Sequence, residues 1–251
     1  MQLSEIAQDE ELDALDPLRH LRQEDTLELL PPQPISIQNG RIQLEFPSGG
    51  TNSESSIVIK LAVDSSPGCG GIAWPAGEVL ATYLARRGRE SLRGKTILEL
   101  GSGTGLVGLV AGILGGSVWI TDQSPLLENM VRNVEINDLS HCVSVAELNW
   151  GEPISQELSR PADMILAADC VYSEPAFPLL VKTLDDLVHG DSSEVLLCYK
   201  KRRKASFLSP ADKRFFTLLK KKFTWVEVED DPNHQIYAHE AISLLRLSKK
   251  H

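Results

Sequence analysis

An α/β fold follows from three features of the 251-residue sequence: a mostly parallel sheet with helices on both faces and an antiparallel hairpin at one edge. From Gly68 onward, short apolar runs alternate with helical patterns, which is how βαβ units and a parallel sheet read in sequence. The stretch from Lys95 to Gly108, KTILELGSGTGLVG, compresses a buried strand, a glycine turn and a helix start. The chain then closes on two strand-like runs without a long helix between them, which predicts a hairpin rather than another crossover. With 42% hydrophobic residues the chain has enough apolar surface for a substantial core.

Taken in order, residues 1–30 hold nine acids against Arg19 and Arg22, a local charge of −7 out of a total of −10. They are expected to form a solvated, flexible segment, for which weak steering of a basic protein partner is the alternative reading. Pro31 and Pro32 end it, and Ile35 to Phe46, with Asn39-Gly40 at the centre, reads as a β-hairpin with a primed turn. Ser56 to Val63 supplies another strand. Residues 31–66 are thus expected to form a small β extension that packs on the main domain, residues 67–251, or covers its site.

Pro75 to Ala85 reads as a helix leading into the glycine strand, Thr96 to Leu100, and Leu106 to Leu114 as the helix after it. Ser117 to Thr121 is the next strand, followed by Ser124 and Pro125 as cap and first-turn residue of a helix through Asn137. Its apolar face is read as Leu127, Met130, Val131 and Val134. Strands at Cys142 to Leu148, Ala162 to Ala167 and Glu194 to Tyr199 follow, the last two joined by a helix carrying Phe177, Leu180, Leu184 and Leu187. Ser209 and Pro210 start a helix with Phe215, Phe216 and Leu219, and Phe223 to Val228 and Ala241 to Leu247 close the chain.

Several function classes are disfavoured. The longest apolar stretch, Leu106 to Ile120, has four interior glycines and is shorter than the roughly 20 residues that span a bilayer. Acids at Glu5, Asp9 and Glu10 stand where a secretion signal needs a basic region, so a cytoplasmic location is expected. Cys69, Cys142, Cys170 and Cys198 form no CxxC pair and have no histidine at ligand spacing, so they read as reduced thiols and no metal is expected. The acidic chain disfavours direct binding of nucleic acid, and nothing in it demands an obligate interface, so a monomer is expected.

In open α/β sheets ligands bind beyond the carboxyl ends of the strands, so the residues just after each strand are the candidates. Gly101, Gly103 and Gly105 are spaced G-x-G-x-G, whereas a dinucleotide site uses G-x-G-x-x-G. Glu99, two residues earlier, would repel a pyrophosphate and is suited to a cationic amino group. Asp122 ends the next strand at the distance where an acid takes ribose hydroxyls, with a helix-start role as the alternative. Trp150 offers a flat apolar face for an adenine ring, and Trp74 a wall for the other end of such a cofactor; ordinary packing is the competing role for both.

Glu99, the glycine spacing and Asp122 together resemble motif I and the following acidic position of class I S-adenosylmethionine-dependent methyltransferases. The resemblance implies a Rossmann-like seven-stranded sheet and S-adenosyl-L-methionine as cofactor. ADCVY, Ala168 to Tyr172, narrows it: a D-x-x-Y sequence at that strand end resembles the methyltransferase-like 21 family of protein-lysine methyltransferases. GCGGIAWPAGEVLATYL, the spacing of Asn129, Asn133 and Asn137, LNWGE around Trp150 and ADCVYSEPAFPLL match the same family, over Gly68 to roughly Leu187. YKKRRKASF, Tyr199 to Phe207, with the WGEP and AADCVY blocks, looks most similar to the fungal branch that modifies translation elongation factor 1A. The resemblance assigns cofactor contacts to Trp74, Glu99, Gly101, Ser102, Gly103, Asp122, Trp150 and Ala168, and makes Asp169 and Tyr172 the catalytic pair.

A lysine amine with a pKa near 10.4 is neutral in only about one molecule in a thousand at physiological pH, so a site that methylates it must place and deprotonate it. Asp169 suits the first task, as base or as orienter, and Tyr172 suits packing on the lysine stem. The basic run Lys200 to Lys204 reads as a nuclear localisation patch, a docking surface for an acidic substrate patch or a solvated loop. A loop with a docking role is expected. Among rival functions, an enzyme methylating amino groups of nucleic acid would carry N/D-P-P-Y/F where this chain has ADCVY. A non-catalytic scaffold would be expected to lack Asp169 or the glycines, and a nicotinamide-dependent reductase would want the other glycine spacing.

Overall fold

The computed structural model describes residues 40–48, 56–64, 69–190, 193–201, 210–229 and 241–250. The acidic segment 1–30, the first half of the expected hairpin through Asn39, Arg202 to Lys204 of the basic run, and Ser209 lie outside the described residues.

Among the described residues, nine strands and five α-helices alternate much as the periodicity predicts. After strands β1 (Gly40–Pro47) and β2 (Ser56–Val63) come helix α1 (Pro75–Arg86), β3 (Thr96–Leu100), α2 (Leu106–Ile113), β4 (Ser117–Asp122), α3 (Leu127–Ile136) and β5 (Val143–Glu147). The second half holds β6 (Met164–Ala168), α4 (Phe177–Leu187), β7 (Glu194–Lys200), α5 (Pro210–Leu219), β8 (Phe223–Glu227) and β9 (Ile242–Lys249). Seven strands form one sheet in the order β5-β4-β3-β6-β7-β9-β8. β9 alone runs against its neighbours, wedged between β7 and β8, so the closing hairpin is at the edge.

Alternation along each strand sorts the core into two layers. Ile97, Met164, Leu166, Leu196 and Cys198 pack under α1, α2 and α3. Leu98, Leu100, Ile165, Ala167, Leu197 and Tyr199 pack under α4 and α5. The central strands are apolar on both faces because helices cover both, as a parallel sheet requires.

At the N-terminal end, β1 is one continuous strand, antiparallel to β2 from Gly40 opposite Val63 to Pro47 opposite Ser56. The turn expected at Asn39-Gly40 begins outside the described residues, and what they show is the pairing of the two strand-like runs with each other. Burial favours it: Phe46, Ile57, Ile59 and Leu61 join the core layer beneath α1 to α3.

α3 differs from expectation in two respects. A 3-10 turn, Ser124–Leu126, precedes it with Gln123 at the cap and no side-chain capping bond, so Ser124 is a first-turn residue rather than the cap. Val131 is 43% exposed, and the inward face is instead Asn129, Met130, Asn133 and Val134. Asn133 faces inward because it bonds the backbone of β2, and Asn137, just past the end of α3, does the same. Asn133 Oδ1 accepts from Ala62 N–H at 2.6 Å, and Asn137 Oδ1 accepts from Lys60 N–H at 2.9 Å.

A half-buried ionic cluster ties the end of α1 to β7 and β9. Both guanidinium nitrogens of Arg87 reach the Glu194 carboxylate, at 2.9 and 2.5 Å, while Arg246 Nε donates to the same carboxylate at 3.2 Å. Tyr83 accepts from both arginines. Burial raises the Glu194 carboxyl, and the Arg87 and Arg246 contacts more than reverse this, leaving it below its ordinary value of 4.5. The stabilisation is therefore present above about pH 4.5 and lost as pH falls through the lower folded value. Glu194→Gln is expected to cost about 1–2 kcal/mol at pH 7, discounted for partial exposure, a loss that shrinks toward zero as the pH is lowered below 4. Thermal melts of the two proteins at pH 7 and pH 4 check it.

Candidate active site

From β3 the chain steps outward to β4 and β5, then returns past β3 to β6 and β7, so the switch in direction lies between β3 and β6. The carboxyl ends of those two strands splay their following loops apart and leave a crevice. Gly101 follows β3 and Asp169 follows β6, which places the cofactor and catalytic candidates on the two sides of one cleft.

The glycine turn is built from left-handed residues, with φ of +59° at Gly101 and +57° at Gly103. Side chains are excluded there twice over. A Cβ on Gly101 would lie 2.8 Å from the Trp150 ring and 2.9 Å from Cys170 Sγ, and one on Gly103 would lie 2.5 Å from the Gly70 carbonyl oxygen. Ser102 stitches the turn to β4: its N–H donates to Thr121 O at 2.9 Å, and its hydroxyl accepts from Thr121 N–H at 3.0 Å. The side chain of Ser102, a residue the resemblance assigns to the cofactor, is thus engaged with β4.

Glu99 lies beneath the turn, 2% exposed. Gly105 caps α2 without a side chain, and the Glu99 carboxyl takes over that task by accepting from Gly108 N–H at 2.9 Å. Burial pushes its pKa up to about 8; the Gly108 and Ser102 hydrogen bonds oppose this and Asp122 adds to it. A protonated acid at neutral pH, poised to ionise beside a positive ligand, is the result.

Asp122 stands at the end of β4, partly exposed, where its Oδ2 accepts from Gly103 N–H at 2.8 Å and its Oδ1 from Gln123 N–H at 2.7 Å. Burial raises it, against those two amides. Trp150 follows β5 and its ring lies over Gly101. Trp74 precedes α1, extended at φ −95°, half-buried against the core layer that also includes Ala168.

Across the cleft, Asp169 holds φ at +54°, a left-handed conformation rare for a residue with a side chain. Its N–H donates to Cys198 O at 2.8 Å and its Oδ1 accepts from Lys200 N–H at 3.4 Å. Burial lowers the Lys200 amine, against the Asp169 charge. Cys170 turns inward and donates from Sγ to Leu100 O at 3.2 Å, which ties the end of β6 to the end of β3. Tyr172, 49% exposed, stands at the rim.

Three contributors escape a reading of strand ends alone. Thr183, on the inner face of α4, accepts from Gly151 N–H at 2.8 Å and so fixes the turn that carries Trp150. Thr121 donates to Glu99 O at 2.6 Å, and Asn133 donates to Thr104 O at 2.9 Å. Their common signal is a polar residue at a core position of an apolar element. The glycine cradle, with a Trp face on one side, a partly exposed acid at ribose distance and a buried acid below, fits a nucleoside cofactor carrying a positive charge.

The Glu99 pKa has a measurable consequence. Its folded value lies above the ordinary 4.5, so the associated stability is present below that pH and is lost as pH rises through about 8. Glu99→Gln keeps an acceptor for Gly108 N–H and removes the titration. Expected are urea midpoints that fall between pH 5 and pH 9 in the native protein and stay flat in the variant, which is the more stable at pH 9 by on the order of 1–3 kcal/mol.

Comparison with known proteins agrees with this geometry. A family model described as lysine methyltransferase matches residues 53–222. Protein-lysine N-methyltransferase EFM6 of Saccharomyces cerevisiae is 41% identical over 208 residues, covering 73% of this chain and 82% of its own. Protein N-lysine methyltransferase METTL21A of Danio rerio is 39% identical over 178 residues, covering 70% and 78%. Among solved structures, mitomycin 7-O-methyltransferase MmcR superposes with a TM-score of 0.50 at 12% identity, covering 70% of this chain and 53% of its own, a likeness of fold. The chain belongs to the lysine methyltransferase family and is an S-adenosyl-L-methionine-dependent protein-lysine N-methyltransferase.

Proposed function

We propose that this enzyme methylates a lysine of translation elongation factor 1A, that Asp169 and Tyr172 receive the lysine, and that it works as a monomer in the cytoplasm. The observation that carries the catalytic assignment is Asp169 itself, held left-handed at the sheet's switch point opposite the glycine turn. The substrate assignment is supported by the WGEP, AADCVY and YKKRRKASF blocks, which resemble the fungal branch acting on that factor. Among the described residues no helix is long and apolar enough to cross a membrane.

S-adenosyl-L-methionine supplies a methyl group already activated by a sulfonium charge, so the protein's task is placement more than activation. Trp150 and Gly101 would hold the adenine, Asp122 the ribose, and Trp74, Ser102, Gly103 and Ala168 the remainder of the cofactor. Glu99, beneath the turn, offers a carboxyl whose ionisation balances positive charge above it. Asp169 then holds the incoming ammonium through a carboxylate oriented by Lys200 N–H and directs the amine at the cleft. Its proton leaves toward Asp169 or solvent, favoured because the Trp-lined and Tyr-lined approach desolvates the charged form. Tyr172 packs along the aliphatic stem.

Incubation of the full chain with methyl-labelled cofactor and a whole-cell extract tests the reading. Label is expected in a nuclease-resistant band at the size of elongation factor 1A, reduced about a hundredfold or more with Asp169→Asn while cofactor binding persists. Label in a band of another size overturns the substrate assignment. Unchanged labelling by the variant overturns the role of Asp169.

A further inference from the structure

The N-terminal hairpin is wired to the cofactor turn through one side chain. β2 pairs with β1 along one edge, and along the other the backbone groups of Lys60 and Ala62 meet two asparagines of α3. Asn137 accepts from Lys60 N–H and donates to Lys60 O at 2.6 Å; Asn133 accepts from Ala62 N–H and donates to Ala62 O at 3.2 Å. Four residues on a helix rise about 6 Å and two on a strand about 6.6 Å, so i, i+4 amides match alternate strand residues in step. An amide side chain supplies, from two separate atoms, both the donor and the acceptor that a strand edge needs. The two asparagines thus stand in for a third strand.

Asn137 also donates within its own helix, to Asn133 O at 2.7 Å, whereas the third bond of Asn133 leaves the helix. Fully buried, Asn133 also donates to the carbonyl of Thr104, which lies between Gly103 and Gly105 in the turn and is 2% exposed. The same side of the turn meets the hairpin's other end: Asp64 N–H donates to Gly71 O at 3.0 Å, and the adjoining Gly70 carbonyl sits in the space a Gly103 side chain would need. A chain of buried bonds therefore runs from β2 through one amide to the backbone of the cofactor turn.

We propose that Asn133 is a positioning residue for cofactor binding, which couples the seating of the β1–β2 hairpin to the conformation of the glycine turn. Seating β2 satisfies one end of the Asn133 amide and holds its Nδ2 aimed at Thr104 O. Releasing β2 frees the amide and removes the restraint on a turn whose left-handed glycines have many alternatives. Coupling of this kind is reciprocal, so cofactor binding must in turn hold the hairpin down.

S-adenosylhomocysteine, the demethylated form of the cofactor, is the probe, and hydrogen exchange on the full chain is the readout. In the native protein, saturation with the probe is expected to slow exchange of the Lys60 and Ala62 amides several-fold more than that of β8 amides at the far sheet edge. Asn133→Leu is expected to weaken probe binding about tenfold in calorimetry and abolish that extra protection. Asn137→Leu, which unclamps Lys60 without touching Thr104, is expected to speed Lys60 exchange while leaving probe affinity within about twofold. Equal slowing of β2 and β8 amides in the native protein overturns the proposal without requiring any variant. Equal loss of affinity in the two variants overturns it as well.

Discussion

The β3-to-α2 connection leaves no room for a loop, and the rest of the site is arranged around that constraint. Five residues separate a buried strand from a helix, three of them left-handed, and their amides must find partners within the turn or beneath it. Ser102 N–H goes to Thr121, Gly103 N–H to Asp122 and Gly105 N–H to Ser102, while Gly108 N–H in the first turn of α2 goes to Glu99. The turn is thereby fastened to β4 through Thr121 and Asp122 and to β3 through Glu99. Trp150, Cys170 and the Gly70 carbonyl close on the turn from three directions, into space that side chains would otherwise occupy.

Electrostatics follow from the same geometry. Glu99, Asp122 and Asp169 converge where the parallel strands end, and burial raises the first two above their ordinary values. Bringing acids together in a water-poor crevice is costly unless positive charge arrives. A sulfonium cofactor and a substrate ammonium both meet that need, whereas a pyrophosphate would add to the strain. At Asp169 the strain is also conformational, since the left-handed backbone is what turns its carboxylate toward Lys200 N–H instead of continuing β6.

Legibility varied with the range of the interaction. The strand ends at Leu100, Asp122 and Ala168 could be read because apolar runs terminate there in glycines or acids, a local pattern. α3 was misread at Val131 because periodicity counts apolar residues, and the true inward face includes Asn133, a polar residue serving a strand some seventy positions earlier. The pairing of β1 with β2 was not read for the related reason that it joins two separate runs, and burial of Phe46, Ile57 and Ile59 sets its register without a local turn signal. Thr183 is marked locally only as a polar residue at a core position, and its partner, Gly151 N–H, comes from the loop after another strand.

By itself the sequence determined the order of elements, the mostly parallel sheet with a reversed strand near one edge, the class of cofactor and the strand ends that carry the candidate residues. Those depend on spacing within a few residues, and backbone geometry converts such spacing directly into turns and faces. Tertiary structure alone decided that Glu99 caps a helix from beneath the turn, that Ser102 is held by β4, and that two asparagines complete the edge of β2. These are hydrogen bonds between distant segments, formed because a buried donor or acceptor must be satisfied by whatever the fold brings near it. No local pattern records which segment that will be.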